Sequence, residues 1–163
     1  MNALPPLVRL QRQWAALVVV AAAGVSAAAG LFAAFFGLRV AAGWGLPTAA
    51  VLAWLFFRLR RALAGNHPPG DPRLRATLGA PNCLTVFRAG LAASLSGFLL
   101  PEPTAAALDA WAWLPGIFYS AAAVLDYVDG GLARRSGNVT RLGERLDTEA
   151  DALGLLLDRK SVV

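Results

Sequence analysis

Cysteine, histidine and lysine are almost absent from this chain of 163 residues. The one cysteine, Cys83, excludes an internal disulfide bond and a zinc site built of several thiolates. Charged residues make up only 15% of the chain and apolar residues 57%, whereas a typical soluble domain has about 25% and roughly 45–50%. The composition therefore argues against both a soluble globular domain and a disordered chain, and it favours a membrane protein.

The basic residues are fourteen arginines and a single lysine, and the formal net charge is +5. In a soluble protein this balance would suggest nucleic-acid binding. Here the arginines lie between long apolar runs, which is typical of a membrane protein that keeps its basic residues in the loops. We therefore expect no nucleic-acid partner.

Long apolar runs predict about five membrane helices. The first two cover residues 14–36 and 40–57, and the later three cover residues 84–100, 110–125 and 143–157. At 1.5 Å per residue, a helix of roughly 20 residues crosses the hydrocarbon layer of a bilayer. The first run is longer than the apolar part of a secretory signal peptide, and a second run follows at once, so we expect a retained helix. The predicted fold class is all-α, a polytopic α-helical membrane protein.

This pattern divides the chain into three segments. We expect a pair of transmembrane helices in residues 1–65, a loop and interfacial segment in residues 66–80, and a helical core in residues 81–163. The loop starts with a stretch rich in proline and glycine, residues 65–72, which excludes a regular helix. The basic stretch that follows it suits the headgroup layer of a membrane.

The distribution of arginine predicts which side of the membrane each loop faces. With a cytoplasmic N-terminus, the inside segments hold ten arginines: Arg9, Arg12, Arg58, Arg60, Arg61, Arg73, Arg75, Arg134, Arg135 and Arg141. The outside loops then hold Arg39 and the acidic Glu102 and Asp109. The positive-inside rule places residues 126–143 at the cytoplasmic surface, which we expect to be that of a bacterial-type inner membrane.

Acidic residues are concentrated in one short part of the chain. Six of the ten lie between Asp126 and Asp151. Asp126 and Asp129 are three residues apart and share one helix face, and Asp147 and Asp151 are four apart and share a face of the next helix. A short connection near residues 136–142 makes the two helices antiparallel neighbours. We therefore expect four carboxylates to converge.

Crowded carboxylates repel one another, so something must neutralise them. We favour a divalent cation, Mg²⁺ or Mn²⁺, because short carboxylate side chains suit hard cations that also bind phosphates. A surface ion-pair network is the alternative, formed with Arg134, Arg135, Arg141 and Arg145. An ion-transport pathway is a third interpretation, but it leaves the small residues Gly130, Ala133 and Gly143 unexplained. These small residues suit either close helix packing or the approach of a flat ligand.

The acidic segment resembles the signature of the CDP-alcohol phosphotransferases. The matching motif is Asp126-x-x-Asp129-Gly130-x-x-Ala133-Arg134, then eight residues, then Gly143-x-x-x-Asp147-x-x-x-Asp151. All eight fixed positions of that signature are present. A second motif resembles the start of the family's first core helix, namely Pro81-Asn82-x-Leu84-Thr85-x-x-Arg88. Taken alone the second motif is weak, because Asn82 and Thr85 also suit a helix cap, and Arg88 is equally compatible with a side chain that extends to the membrane interface.

The resemblance implies an integral membrane enzyme of phospholipid biosynthesis. Such an enzyme transfers a substituted phosphate from a CDP-linked donor, often CDP-diacylglycerol, to a small alcohol and releases CMP. By motif position, two Mg²⁺ or Mn²⁺ ions would be held by Asp126, Asp129, Asp147 and Asp151, and Asp151 would also act as general base. The CDP part of the donor would contact Asn82, Thr85, Gly130, Arg134 and Thr140. Dimers are common in the family, so a homodimer is an expectation too.

The resemblance also has two departures. Only twelve residues follow Asp151, so the later helices of the family's six-helix core are expected to be missing, and the chain would carry only the N-terminal half of that core. The first two apolar runs precede the core, and we expect them to be an added anchor; the alternative is that they pack where the missing helices belong. The alternative to an active transferase is therefore a truncated, inactive relative that keeps a metal or nucleotide site. The sequence does not specify the alcohol.

Overall fold

The computed structural model describes residues 4–99, 108–136 and 140–161. Within these ranges it leaves out the side chains of residues 108–110, 129–136, 150 and 153–161. Five α-helices follow one another: α1 Pro6–Phe36, α2 Leu38–Ala62, α3 Gly79–Ser96, α4 Leu108–Ser136 and α5 Arg141–Ser161. Short 3₁₀ turns extend α2 through Gly65 and α3 through Leu99. The described part of the chain has no strand, so the predicted all-α class is confirmed.

Helices α1 and α2 form an antiparallel hairpin joined by the single residue Gly37. Its φ is +89°, a left-handed value that glycine adopts without the penalty of a Cβ. Near this connection the rings of Phe32 and Trp44 pack edge to face, with centroids 4.7 Å apart. At the far end of the hairpin the indole N–H of Trp14 donates to the backbone oxygen of Phe56 at 2.9 Å. The two helices are therefore in contact along their length.

Among the described residues, three helices are long and apolar enough to cross a membrane: α1, α2 extended to Gly65, and α3 extended to Leu99. The prediction of an integral membrane protein is thereby confirmed. Membrane crossing by α4 and α5 stays a prediction. Helix α5 is amphipathic and begins with several charged residues, among them Arg141 and Glu144, so its first turns suit an aqueous surface better than lipid.

The last turns of α2 carry three arginines whose guanidinium groups lie over aromatic rings. Arg58 lies 5.6 Å from the ring centre of Trp54, Arg60 lies 5.0 Å from that of Trp14, and Arg61 lies 5.3 Å from that of Phe57. Cation–π contacts of this kind place a charge and an aromatic ring at the same depth, as at a membrane interface. This end of the hairpin is its polar end.

Helix α3 lies at the centre of the fold and contacts α2, α4 and α5. On the polar side, an apolar cluster joins the hairpin to α3 and α5, and it includes Leu59, Leu63, Ala89 and Leu142. On the opposite side, an aromatic cluster joins the hairpin to the start of α4 through Trp111. The hairpin therefore packs against α3 and the start of α5 at its polar end, and against the start of α4 at its other end.

Candidate active site

Three aspartates from two helices meet beside α3. Asp126 lies on α4, and Asp147 and Asp151 lie one turn apart on α5. Each offers one carboxylate oxygen, and the three oxygens lie within 4.8 Å of one another. The structure thus brings together three of the four carboxylates that the spacing predicts to converge. The side chain of the fourth, Asp129, lies outside the described residues, as do those of Gly130 and Arg134.

Arg88 of α3 lies among these three aspartates. Its Nη1 donates to Oδ1 of Asp126 and, at 3.3 Å, to Oδ1 of Asp151, and its Nη2 donates to Oδ1 of Asp147 at 2.5 Å. The arginine side chain is 7% exposed, whereas the three carboxylates are 56–59% exposed. Arg88 therefore points into the protein and holds its charge at the inner wall of an acidic site that opens outward.

The placement of Arg88 answers two questions that the sequence leaves open: where its side chain points, and which of the arginines pairs with the carboxylates. The Arg88 side chain is buried against the aspartates and does not extend outward from the helix bundle. It is also a different arginine from those expected in an ion-pair network, since Arg141 and Arg145 make no ion pair with the three described aspartates. The side chains of Arg134 and Arg135 lie outside the described residues. The signal that favours a site role for Arg88 was its position in the second motif, one turn beyond Thr85.

Asn82 and Thr140 lie beside this site in a buried polar cluster. The Asn82 amide donates to the backbone oxygen of Leu78 at 2.8 Å and to Oγ1 of Thr140 at 3.3 Å. Oγ1 of Thr140 in turn accepts the backbone N–H of Gly143 at 3.0 Å, which is the geometry of an N-cap. Thr140 therefore begins α5, and Asn82 ties that beginning to α3.

The helix-cap interpretation of Asn82 and Thr85 is wrong. Helix α3 begins at Gly79, ahead of both residues, because Pro81 is tolerated in a first helical turn. Oγ1 of Thr85 donates back to the backbone oxygen of Pro81 at 3.1 Å. Asn82, Thr85 and Arg88 follow one another at intervals of three residues, so they lie on the face of α3 that meets α4 and α5.

Gly143 permits the close approach of α5 to α3. A Cβ at this position would lie 2.7 Å from Oδ1 of Asn82, nearer than real Cβ contacts allow. Of the two roles considered for the small residues of the motif, close packing is therefore the one that the structure shows for Gly143.

Residues 78–158 match the sequence profile of the CDP-alcohol phosphatidyltransferase family. They form a CDP-alcohol phosphatidyltransferase domain. The chain is also 36% identical to a cardiolipin synthase (CMP-forming) of Streptomyces coelicolor, over 58% of this chain and 47% of that protein. The chain thus spans about half the length of the curated relative it matches. No solved structure matches the chain.

The acidic site of the phosphatidyltransferase domain fits a divalent cation. Three carboxylate oxygens within 4.8 Å of one another supply hard oxygen ligands, and their exposure leaves room for water and phosphate oxygens to complete the coordination. The Arg88 guanidinium shows that this site already accommodates positive charge. The family uses a divalent metal, and the residues present agree with that use.

Asn66 supports the phosphatidyltransferase domain from outside it, a role that sequence reasoning missed. Its side chain is fully buried, and its amide donates to the backbone oxygens of Arg75 at 3.2 Å and Thr77 at 2.8 Å. Its Oδ1 accepts from Asn82 at 3.4 Å. An asparagine two residues ahead of Pro-Pro-Gly is typical of an exposed turn, so only the tertiary packing reveals that Asn66 anchors the loop to α3.

Proposed function

We propose that this chain is an integral membrane transferase that moves the phosphatidyl group of CDP-diacylglycerol to an alcohol and releases CMP. The observation that carries the proposal is the convergence of Asp126, Asp147 and Asp151 inside a CDP-alcohol phosphatidyltransferase domain. An exposed cluster of carboxylates beside apolar helices suits a donor with a charged diphosphate and acyl chains that stay in the bilayer.

The proposed metal ligands are Asp126, Asp129, Asp147 and Asp151. When bound there, Mg²⁺ or Mn²⁺, as two ions, would neutralise the diphosphate and stabilise the leaving CMP. The chain's own contribution is to hold the ligands in place, because α4 and α5 both pack on α3. Removing any one of these carboxylates is expected to weaken metal binding.

Asp151 is the proposed general base. An alcohol is a poor nucleophile near neutral pH, so a carboxylate that takes its proton assists the attack. As the alcohol oxygen bonds to the phosphorus, the bond from phosphorus to the CMP oxygen breaks and the hydroxyl proton passes to Asp151. With more than half of its side chain exposed, Asp151 is within reach of an alcohol entering from outside the helix bundle.

The proposed contacts to the CDP part of the donor are Asn82, Thr85, Gly130, Arg134 and Thr140. Arginine is suited to a phosphate oxygen, and glycine lets a flat base approach the backbone. Asn82 and Thr140, which the motif also assigns to the donor, are buried and bonded to each other. They also hold the start of α5 beside α3, which fixes one wall of the proposed donor site.

We further propose that the site faces the cytoplasm at a bacterial-type inner membrane. Support comes from the arginines at the polar end of the hairpin, Arg58, Arg60 and Arg61, because basic residues concentrate on the cytoplasmic side. The alcohol would then be a small cytoplasmic molecule or a lipid of the inner leaflet. A homodimer is proposed from the family alone.

CMP release from CDP-diacylglycerol tests this function. The full chain, purified in detergent micelles with Mg²⁺, is given glycerol 3-phosphate, serine, an inositol phosphate or phosphatidylglycerol, the last because its phosphatidylation yields a cardiolipin. We expect release with one of these alcohols and none without Mg²⁺. Binding of CDP and Mn²⁺ without turnover on any alcohol would contradict the proposal and support the inactive alternative.

The general base is tested by Asp151→Asn, which we expect to lower kcat by about 100-fold or more. Glu149→Gln is the matched control, since it makes the same chemical change on the same helix. Glu149 pairs with Arg58 and takes no part in the aspartate cluster. Equal rates for Asp151→Asn and the unaltered chain would remove Asp151 from the proton transfer.

A further inference from the structure

Arg88 and a divalent cation would use the same three carboxylates. The guanidinium contacts Oδ1 of Asp126, Asp147 and Asp151, the same three carboxylates that form the candidate metal cluster. A carboxylate oxygen that accepts a charge-assisted hydrogen bond has less electron density to offer a metal ion, and two cations at one site repel each other.

Arg88 is buried, and its charge needs compensation from its neighbours. A charged side chain in the interior is stable only when opposite charges compensate for its lost hydration. Arg88 gains that compensation from the three aspartates, and they gain relief from their mutual repulsion. Among these four groups the formal charge is −3 without Arg88 and −2 with it, so the cluster keeps the negative charge that attracts a divalent ion.

We propose that Arg88 is the internal counter-cation of the acidic cluster: it holds the three aspartates together when no metal is bound and competes with the metal for their oxygens. This inference rests on the proposed function, because it assumes that the cluster binds a divalent cation. The arrangement keeps the site formed without metal, and it makes metal binding weaker than three free carboxylates would allow.

Mn²⁺ titration of the purified full chain tests this role, with bound Mn²⁺ followed by electron paramagnetic resonance. In Arg88→Gln we expect the Kd for Mn²⁺ to fall about tenfold, the size of effect that removing one nearby charge has at a partly solvated site. The same variant should unfold at a lower temperature in EDTA, and Mn²⁺ should raise its Tm by more than it raises that of the unaltered chain.

Two further variants keep the test decisive. Arg88→Lys retains the charge but lacks the forked set of donors, so its Kd for Mn²⁺ should lie between those of Arg88→Gln and the unaltered chain. If Arg88→Gln does not fold, Arg88→Lys is the variant that tests the proposal. Arg58→Gln is the control, because it removes an arginine paired with Glu149 of α5 outside the cluster. It should leave the Kd for Mn²⁺ unchanged.

The possible failures are distinguishable. If the unaltered chain binds no Mn²⁺, the metal site of the proposed function is wrong and the inference ends with it. If the unaltered chain binds Mn²⁺ but the Arg88 variants bind it equally or more weakly, the metal site stands and the competition is overturned. That second outcome would assign Arg88 to binding alongside the metal.

Discussion

The hairpin α1–α2 and the phosphatidyltransferase domain differ in the sign of their charged residues. Residues 1–70 contain six arginines and no aspartate or glutamate, whereas residues 126–151 contain six of the chain's ten acidic residues. Rings and aliphatic side chains hold the hairpin together. The domain carries a buried arginine and a buried amide at its helix contacts. We therefore expect substitutions in the hairpin to act mainly on stability, and substitutions in the acidic cluster of the domain to act mainly on metal binding.

The comparison predicts that a core substitution in the hairpin reduces stability but not metal binding. Phe32 packs against Phe36, Trp44, Phe98 and Trp111. Phe32→Ala should lower the free energy of unfolding by about 3 kcal/mol, near the low end for a buried phenylalanine because lipid is as apolar as the protein interior. Denaturant unfolding in micelles measures this loss.

Phe35→Ala is the control for that substitution, because Phe35 is on the same helix and 76% exposed. It should change the free energy of unfolding by less than about 0.5 kcal/mol. Both variants should bind Mn²⁺ as the unaltered chain does. A loss of Mn²⁺ affinity in Phe32→Ala would show that the two regions are not separable in function.

A smaller effect is expected at Asn66, which joins the two regions. Asn66→Ala leaves the backbone oxygens of Arg75 and Thr77 without their amide partner, and each unmet buried group costs about 1–3 kcal/mol. We expect a loss of about 2 kcal/mol in the free energy of unfolding, since water reaches part of the loop. The exposed amide in Gln11→Ala provides the comparison, and an equal loss there would contradict the anchoring role.

The smallest effect is expected for the ion pair between Arg58 and Glu149, which also connects the hairpin to α5. Its nitrogen and oxygen are 2.7 Å apart, but Arg58 is 46% exposed. Such a pair contributes about 0–1 kcal/mol and weakens in salt. A double-mutant cycle with Arg58→Gln and Glu149→Gln measures it, and a coupling above about 2 kcal/mol would mean that the charges are effectively desolvated.

Much of this architecture follows from the sequence because its signals are local. Long apolar runs predict the helices α1 to α3, and the spacing of Asp126, Asp147 and Asp151 predicts that their carboxylates meet. The predicted bounds of the helices are less accurate than their number. Helix α1 begins at Pro6, because proline is tolerated in a first helical turn and arginine side chains near a helix end can extend to water. Apolar content alone predicts a later start, at Trp14.

The remaining features depend on contacts between distant parts of the chain. Arg88 has a long side chain, and its neighbours in sequence do not determine whether it turns to the interface or to the aspartates 38 to 63 residues away. Asn66 is buried only because α3 and the start of α5 cover it. The catalytic and binding roles of all the site residues stay predictions, and the side chains of Asp129, Gly130 and Arg134 also lie outside the described residues.

The one-residue connection at Gly37 has a consequence for topology. A hairpin this tight returns the chain to the side of the bilayer from which it entered, so the start of α1 and the end of α2 share one face. The start of α5 is tied to that same face by the bond from the Arg141 N–H to the His67 carbonyl, 3.1 Å long. A reporter enzyme fused ahead of α1 would therefore reveal in living cells which compartment supplies the substrates.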